Sequence, residues 1–194
     1  VGSKHEAAAP VPGYTFAFCG WLPGVIRDGG TRIDVDVEGF DFMVLDFDNK
    51  DHGVKVPRPV EQRVGIADIL AALPFRAFVH TSHSHHPEVS TFRVILPLAE
   101  RVSADEHYRI WCWLMERCDW KGDTSCKNES RFYYAPRSTP DAASNGWHKM
   151  QRVDGPTLRR ANLPEGFTPA EPRQKSSGSN GPRNLRRVPQ QGAH

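Results

Sequence analysis

The feature that most restricts the fold is a change of apolar period that recurs along the middle of the chain. "FMVLDF" (42–47) is a nearly unbroken apolar run, the pattern of a buried strand. In "VEQRVGIADILAAL" (60–73) the apolar residues Val60, Val64, Ala67, Leu70 and Ala71 follow helical spacing, and Pro74 ends the segment. "FRAFVHT" (75–81) and "TFRVILPL" (91–98) return to strand patterns. Ser103 and Glu106 then form a capping box, which predicts a second helix with Tyr108, Trp111, Leu114 and Met115 as its buried stripe. "RFYYAP" (131–136) predicts a final strand.

The order β-α-β-β-α-β defines an α+β chain with a ferredoxin-like or RRM-like core. "YTFAF" (14–18) and the alternating "TRIDVDVEG" (31–39) add expected N-terminal strands. A length of 194 residues suits one domain with tails. The expected division is a flexible N-terminus at 1–10, a folded domain at 11–150 and a tail at 151–194. From Gly155 to His194 there are seven Lys/Arg and two Glu, a charge of +5, which leaves −3 for the rest. That tail is rich in Gly, Ser, Pro and Arg, and it reads as a disordered basic linker or a weak nucleic-acid-binding arm. A merely solubilising linker is the plain alternative. No stretch of 18 apolar residues is present, so no membrane span is expected. The N-terminus lacks the apolar core of a signal peptide, which suggests a cytoplasmic location, and its lack of Met suggests a processed piece or a fragment. Cys19, Cys112, Cys118 and Cys126 form no CxxC pair, so reduced thiols are expected rather than a zinc ribbon.

Three polar clusters interrupt this pattern. In "FMVLDFDNKD" (42–51), Asp46 and Asp48 sit two apart at a strand end and so share one face. Two like charges beside an apolar strand repel and resist desolvation. A hard divalent cation such as Mg²⁺ or Mn²⁺ would reconcile them, whereas solvated loop acids are the plain alternative. The second cluster, "HTSHSHHPEVSTFR" (80–93), carries four histidines within seven residues at the strand junction. His83 and His85 share a face if the strand continues, and Arg93 offers a planar fork for phosphate, or else a surface ion pair. His86 is expected to be a plain loop residue. The third cluster, "GDTSCKNESRFYYAP" (122–136), offers Asp123 as a third carboxylate, Asn128 and Ser130 as neutral donors, and Arg131 at a strand start. Asp46, Asp48 and Asp123 together suit a two-metal phosphoryl-transfer site, with Arg93 and Arg131 on a triphosphate. No GxxxxGK[ST] or GxGxxG loop is present.

Over residues 40–137 the chain resembles the catalytic domain of the archaeo-eukaryotic primase superfamily, the primase-polymerases of plasmids, phages and other mobile elements. "VLDFD" looks like its first motif, an apolar run followed by DxD or DxE. "STFRVILPL" falls where its second motif, Ser-x-His, is expected, with Arg93 in the His position. "GDTSCKNESRFYYAP" looks like its third motif. The resemblance implies template-directed nucleotidyl transfer by two-metal catalysis, with Mg²⁺ or Mn²⁺ held by Asp46, Asp48 and Asp123. His83, Ser84, His85, Arg93 and Arg131 would bind the nucleotide, with the imidazole role falling to His83 or His85 or replaced by Arg93. The implied partners are a single-stranded DNA template and primer, a dNTP or NTP, and a replicative helicase. Two other classes compete. A rolling-circle initiator or relaxase would use "HSH" (83–85) for one metal and Tyr133 or Tyr134 as nucleophile, but it leaves the acid pair unexplained. A non-catalytic RRM-like module would stack bases on Phe132, Tyr133 and Tyr134.

Overall fold

A computed structural model describes residues 20–31, 34–50, 56–82, 85–127, 131–134 and 144–169. Its strands are β1 (Gly20–Trp21), β2 (Gly24–Ile26), β3 (Val37–Phe47), β4 (Ala77–Thr81), β5 (Phe92–Val102), β6 (Tyr133–Tyr134) and β7 (Met150–Val153). Two helices, α1 (Ile66–Ala72) and α2 (Ala104–Arg117), lie between them in sequence. The main sheet is antiparallel and runs β2-β3-β5-β4-β7. β1 and β6 form a separate two-stranded ribbon.

The central β3-β5-β4 order agrees with the first half of the expected split βαβ core, because α1 carries the chain from β3 past β5 to β4; the strand that follows α2, β6, lies outside this sheet. Side-chain alternation then separates two faces. Leu45, Val94 and Val79 are direct cross-strand neighbours in one row. With Met43, Phe47, Phe92 and Leu96 they form one core with Ile69, Ile110, Trp111, Leu114 and Met115 of the helices. On the opposite face Val44 belongs to a small second cluster with Cys126 and Tyr133.

Helix α2 begins as its capping box predicts. The Ser103 hydroxyl accepts from the Glu106 amide at 3.3 Å, and the Glu106 carboxylate accepts from the Ser103 amide at 3.0 Å. Its stripe holds Trp111, Leu114 and Met115 as expected, and adds His107, Ile110 and Cys112. His107 is buried and stacks on Phe40 with ring centroids 3.8 Å apart, and neither ring nitrogen has a hydrogen-bond partner.

Elsewhere the structure departs from the sequence pattern. The strand expected at 31–39 is interrupted: 34–36 make a 3-10 turn, and 37–39 open the long β3. The reason is local, since the buried Asp36 carboxylate accepts from the Thr31 amide at 2.7 Å and pairs with Arg27. The helix expected from 60 starts only at 66. Asn49 holds Val64 extended, donating to its carbonyl at 2.8 Å and accepting from its amide at 2.9 Å. Of the last expected strand the described residues form β6, which pairs with β1, while β2 takes the place beside β3. The strand expected at 14–18 lies outside the described residues.

The largest correction concerns the chain after 150. The boundary expected at 151 cuts through β7, which pairs with β4 and widens the sheet. Leu158 is fully buried and bridges to Leu98, and Val153, Leu163 and Phe167 pack on the core. Average composition concealed this segment, because its few apolar residues are spaced to meet the sheet one at a time. Residues 170–194 lie outside the described part.

Two outcomes follow for stability. Leu158→Ala leaves a cavity in a packed core and should lower the unfolding free energy by about 2–5 kcal/mol in a urea titration. Burial pushes the His107 pKa down to about 3, so its contribution is complete above pH 6.5 and is lost as the pH falls below that value. His107→Phe should remove about 2 kcal/mol of the stability difference between pH 7 and pH 5, read from paired melts of variant and parent.

Candidate active site at one end of the open sheet face

The face opposite the helices carries the polar residues in register. Asp46 of β3 lies directly across from Arg93 of β5, which lies across from His80 of β4, which lies across from Met150 of β7. Four side chains from four strands therefore form one row. Asp48 follows one residue beyond the end of β3.

Asp46 is the electrostatic centre. Its carboxylate is buried, and Oδ2 accepts from Arg93 Nε at 3.1 Å. Oδ1 is buried with no hydrogen-bond partner. Burial pushes the Asp46 pKa up to about 6; the Arg93 charge works against that rise, and the charges of Asp48 and Asp123 add to it. Asp46 thus feels the charge of both other acids singled out from sequence.

Asp123 is brought in through the backbone, its amide donating to the Asp46 carbonyl at 2.7 Å. The preceding turn is unusual, with Asp119 and Trp120 both at positive φ, 51° and 56°. The Trp120 ring meets Trp111 edge-on at 6.0 Å. A Cβ on Gly122 would lie 2.9 Å from the buried Met115 Sδ and 3.2 Å from the Asp46 carbonyl, so the close approach needs glycine. The Asp123 carboxylate also caps the next turn, accepting from the Ser125 amide and hydroxyl, each at 2.8 Å.

On the other side of Asp48, the buried Asn49 turns the chain at φ 50°. Its side chain reaches Val64 and the Ser90 carbonyl, the latter at 2.6 Å. It therefore fastens the acid-bearing strand end to α1's approach and to the start of β5. Sequence reasoning passed over Asn49, although "DNKD" marks it as a turn residue able to adopt this conformation.

The basic residues divide. Arg93 is committed within the protein: besides Asp46, its NH1 donates to the Tyr134 carbonyl at 3.0 Å, and its guanidinium lies 5.3 Å from the Tyr133 ring centre. Arg131 is half-buried; burial opposes its charge, but Cys126, Tyr133, Asp123 and Asp46 together raise its pKa. His85 is half-buried and its Nδ1 accepts from the Thr91 amide at 3.2 Å, which leaves Nε2–H as a donor in the neutral ring. His83, Ser84, Asn128 and Ser130 lie outside the described residues. His80, not considered from sequence, occupies the place beside Arg93; its Nε2 is buried without a partner. Tyr133 is buried and its pKa is raised by that burial, while Tyr134 lies in a strand and not on a helix.

Among the described residues no three His, Cys, Asp or Glu side chains are grouped so as to hold a metal ion as they stand. The orphaned Oδ1 of Asp46, with two further acids raising its pKa, nevertheless fits a hard cation at the Asp46–Asp48 corner. No helix among the described residues is long and apolar enough to cross a membrane.

Comparison with family models finds no match, and none is found among curated proteins. Among solved structures the chain is similar to the AEP domain of the primase-polymerase (PrimPol) of cyanophage S-2L. That superposition covers 75% of this chain and 68% of the other, at 13% identity and a TM-score of 0.49.

The raised Asp46 pKa has a defined sign. A carboxylate whose pKa is raised by folding contributes fully below its unfolded value of 3.8, and that contribution is lost as the pH rises from there through about 6. Without divalent cations, Asp46→Asn should flatten that part of the pH–stability profile by on the order of 3 kcal/mol, compared with the parent at each pH.

Proposed function

We propose that the chain is a primase-polymerase of the archaeo-eukaryotic primase superfamily, performing template-directed nucleotidyl transfer in the replication of a mobile element. The observation that carries this reading is the meeting of Asp46, Asp48 and Asp123 at one end of the open sheet face, with Arg93 and Arg131 beside them. These are the residues on which the sequence motifs fall, and residues remote in sequence have come together.

In this reading Asp46, Asp48 and Asp123 hold Mg²⁺ or Mn²⁺, which when bound lowers the pKa of an attacking 3′-hydroxyl and neutralises charge on the phosphates. The chain's own part is positional. Asn49 fixes the strand end that carries the acids, and Gly122 lets Asp123 approach Asp46. Arg93 and Arg131 supply positive charge beside the acids, and the His85 Nε2–H offers a neutral donor to a phosphate oxygen. Exposed Phe42 and Phe78 and half-buried Ile95 lie on the same face, further from the acids, where a single-stranded template could lie.

The buried position of Tyr133 and the strand position of Tyr134 disfavour the tyrosine-nuclease alternative. A purely binding module leaves the desolvated Asp46 unexplained.

The test is primer extension on single-stranded template with dNTPs or NTPs and Mg²⁺ or Mn²⁺. Extension should require the divalent cation and fall at least about 100-fold with Asp46→Asn plus Asp48→Asn. Activity that survives the double substitution would refute the assignment. Metal-dependent cleavage with protein left attached to DNA would transfer it to the nuclease class.

A further inference from the structure

Two buried acceptors without donors flank one guanidinium-bearing side chain on the open face. Register sets Arg93 between Asp46 on β3 and His80 on β4, and cross-strand neighbours share a face. Asp46 Oδ1 and His80 Nε2 are both buried with no hydrogen-bond partner, and their residues are 7% and 3% exposed. A buried polar atom left unpaired costs free energy. Two of them on either side of one donor-rich side chain therefore point to a second arrangement of that side chain.

The His80 ring has one assignment. Its Nδ1 lies 3.0 Å from the Thr81 carbonyl, which can only accept. Nδ1 therefore carries the proton, and Nε2 is a bare acceptor in the neutral ring. Burial leads in lowering the His80 pKa, and the charges of Arg93 and His148 add to that fall against the Thr81 bond. The Arg93 charge is thus close enough to act on the ring. Arg93 itself is held through part of its fork. Its Nε donates to Asp46 Oδ2 at 3.1 Å and its Nη1 to the Tyr134 carbonyl at 3.0 Å. Those bonds use two of the five N–H groups that a guanidinium carries.

We infer that Arg93 has two positions and that His80 is the positioning residue for the second: when a divalent cation occupies Asp46, the guanidinium leaves Oδ2 and donates to His80 Nε2. The trigger rests on the metal reading of Asp46; the existence of the second position does not. A divalent cation and a guanidinium sharing one carboxylate repel each other, and strongly so in a desolvated site. The displaced side chain needs an acceptor close by, and a neutral imidazole nitrogen accepts from it without adding charge. His80 lies one strand spacing from Arg93, as Asp46 does on the other side, so the tip can cross over with no change in the backbone. The bond to the Tyr134 carbonyl serves as the pivot. The move draws positive charge away from the cation and pairs a buried nitrogen that is otherwise orphaned.

The experiment follows the ring nitrogens by long-range proton–nitrogen NMR of the whole chain carrying isotope-labelled histidine, with His80→Gln assigning the His80 signals. Mg²⁺ added to the parent should move the His80 Nε2 resonance upfield, the sign of a new hydrogen bond to an acceptor nitrogen, and leave Nδ1 protonated. Asp46→Ala in EDTA should show the same shift with no cation present, because Arg93 has lost its first partner; thermal melts check folding. Mn²⁺ affinity, read by electron paramagnetic resonance, should weaken about tenfold in His80→Phe and recover in His80→Gln, whose amide oxygen can accept. An Nε2 resonance that stays in place in both arms overturns the second position and leaves a buried water as the partner of Nε2. Equal Mn²⁺ affinity in His80→Phe and parent overturns the coupling and keeps the metal reading. A parent that binds neither cation overturns the metal reading and the trigger with it, while the Asp46→Ala shift would still uphold the second position.

Discussion

The cross-strand pair of Asp46 and Arg93 is the constraint on which the rest depends. It fixes the register of the two longest strands, β3 and β5. A slip of one residue would turn Asp46 towards the helices and Leu45 towards the open face, which no nearby substitution could repair. A buried ion pair of this kind is a poor source of stability, since both partners must leave water. Leaving Oδ1 of Asp46 without a partner makes it poorer still. The cost of this arrangement is carried by the apolar core behind it.

The rest of the architecture serves that pair. Asn49 and the left-handed turn at Asp119–Trp120 stand at the two chain reversals that flank the acids. Both are anchored in packed surroundings, Asn49 by Val64 and Ser90, and Trp120 by Trp111. Polar geometry on one face is thus set by side chains rooted in the other.

Much of this was legible in the sequence where the signal was local and periodic. The Ser103–Glu106 cap, the apolar run of β3 and the alternation of β5 each depend on neighbours within a few residues, and each formed. The face of Asp46 was legible for the same reason, because strand alternation within β3 sets it. What escaped were elements decided by distant partners. β7 has no pattern of its own and exists because β4 offers an edge. The start of α1 is set by Asn49, fifteen residues upstream of Val64. β6 left the main sheet because β2, too short to read, occupied its place. His80 was hidden by its more conspicuous neighbours in the histidine run, and only the register shows it beside Arg93.

The pairing of β4 with β7 also carries a consequence for the order of assembly. β4 and β5 are joined by ten residues and can meet early, whereas His80 must wait for Met150, seventy residues later. Until then β4 is an open edge that also carries the exposed Phe78, the kind of surface that pairs with another chain. On a ribosome the acid-bearing strands would be in place while this edge was still bare, so β7 is a late seal against self-association as well as a wall of the site.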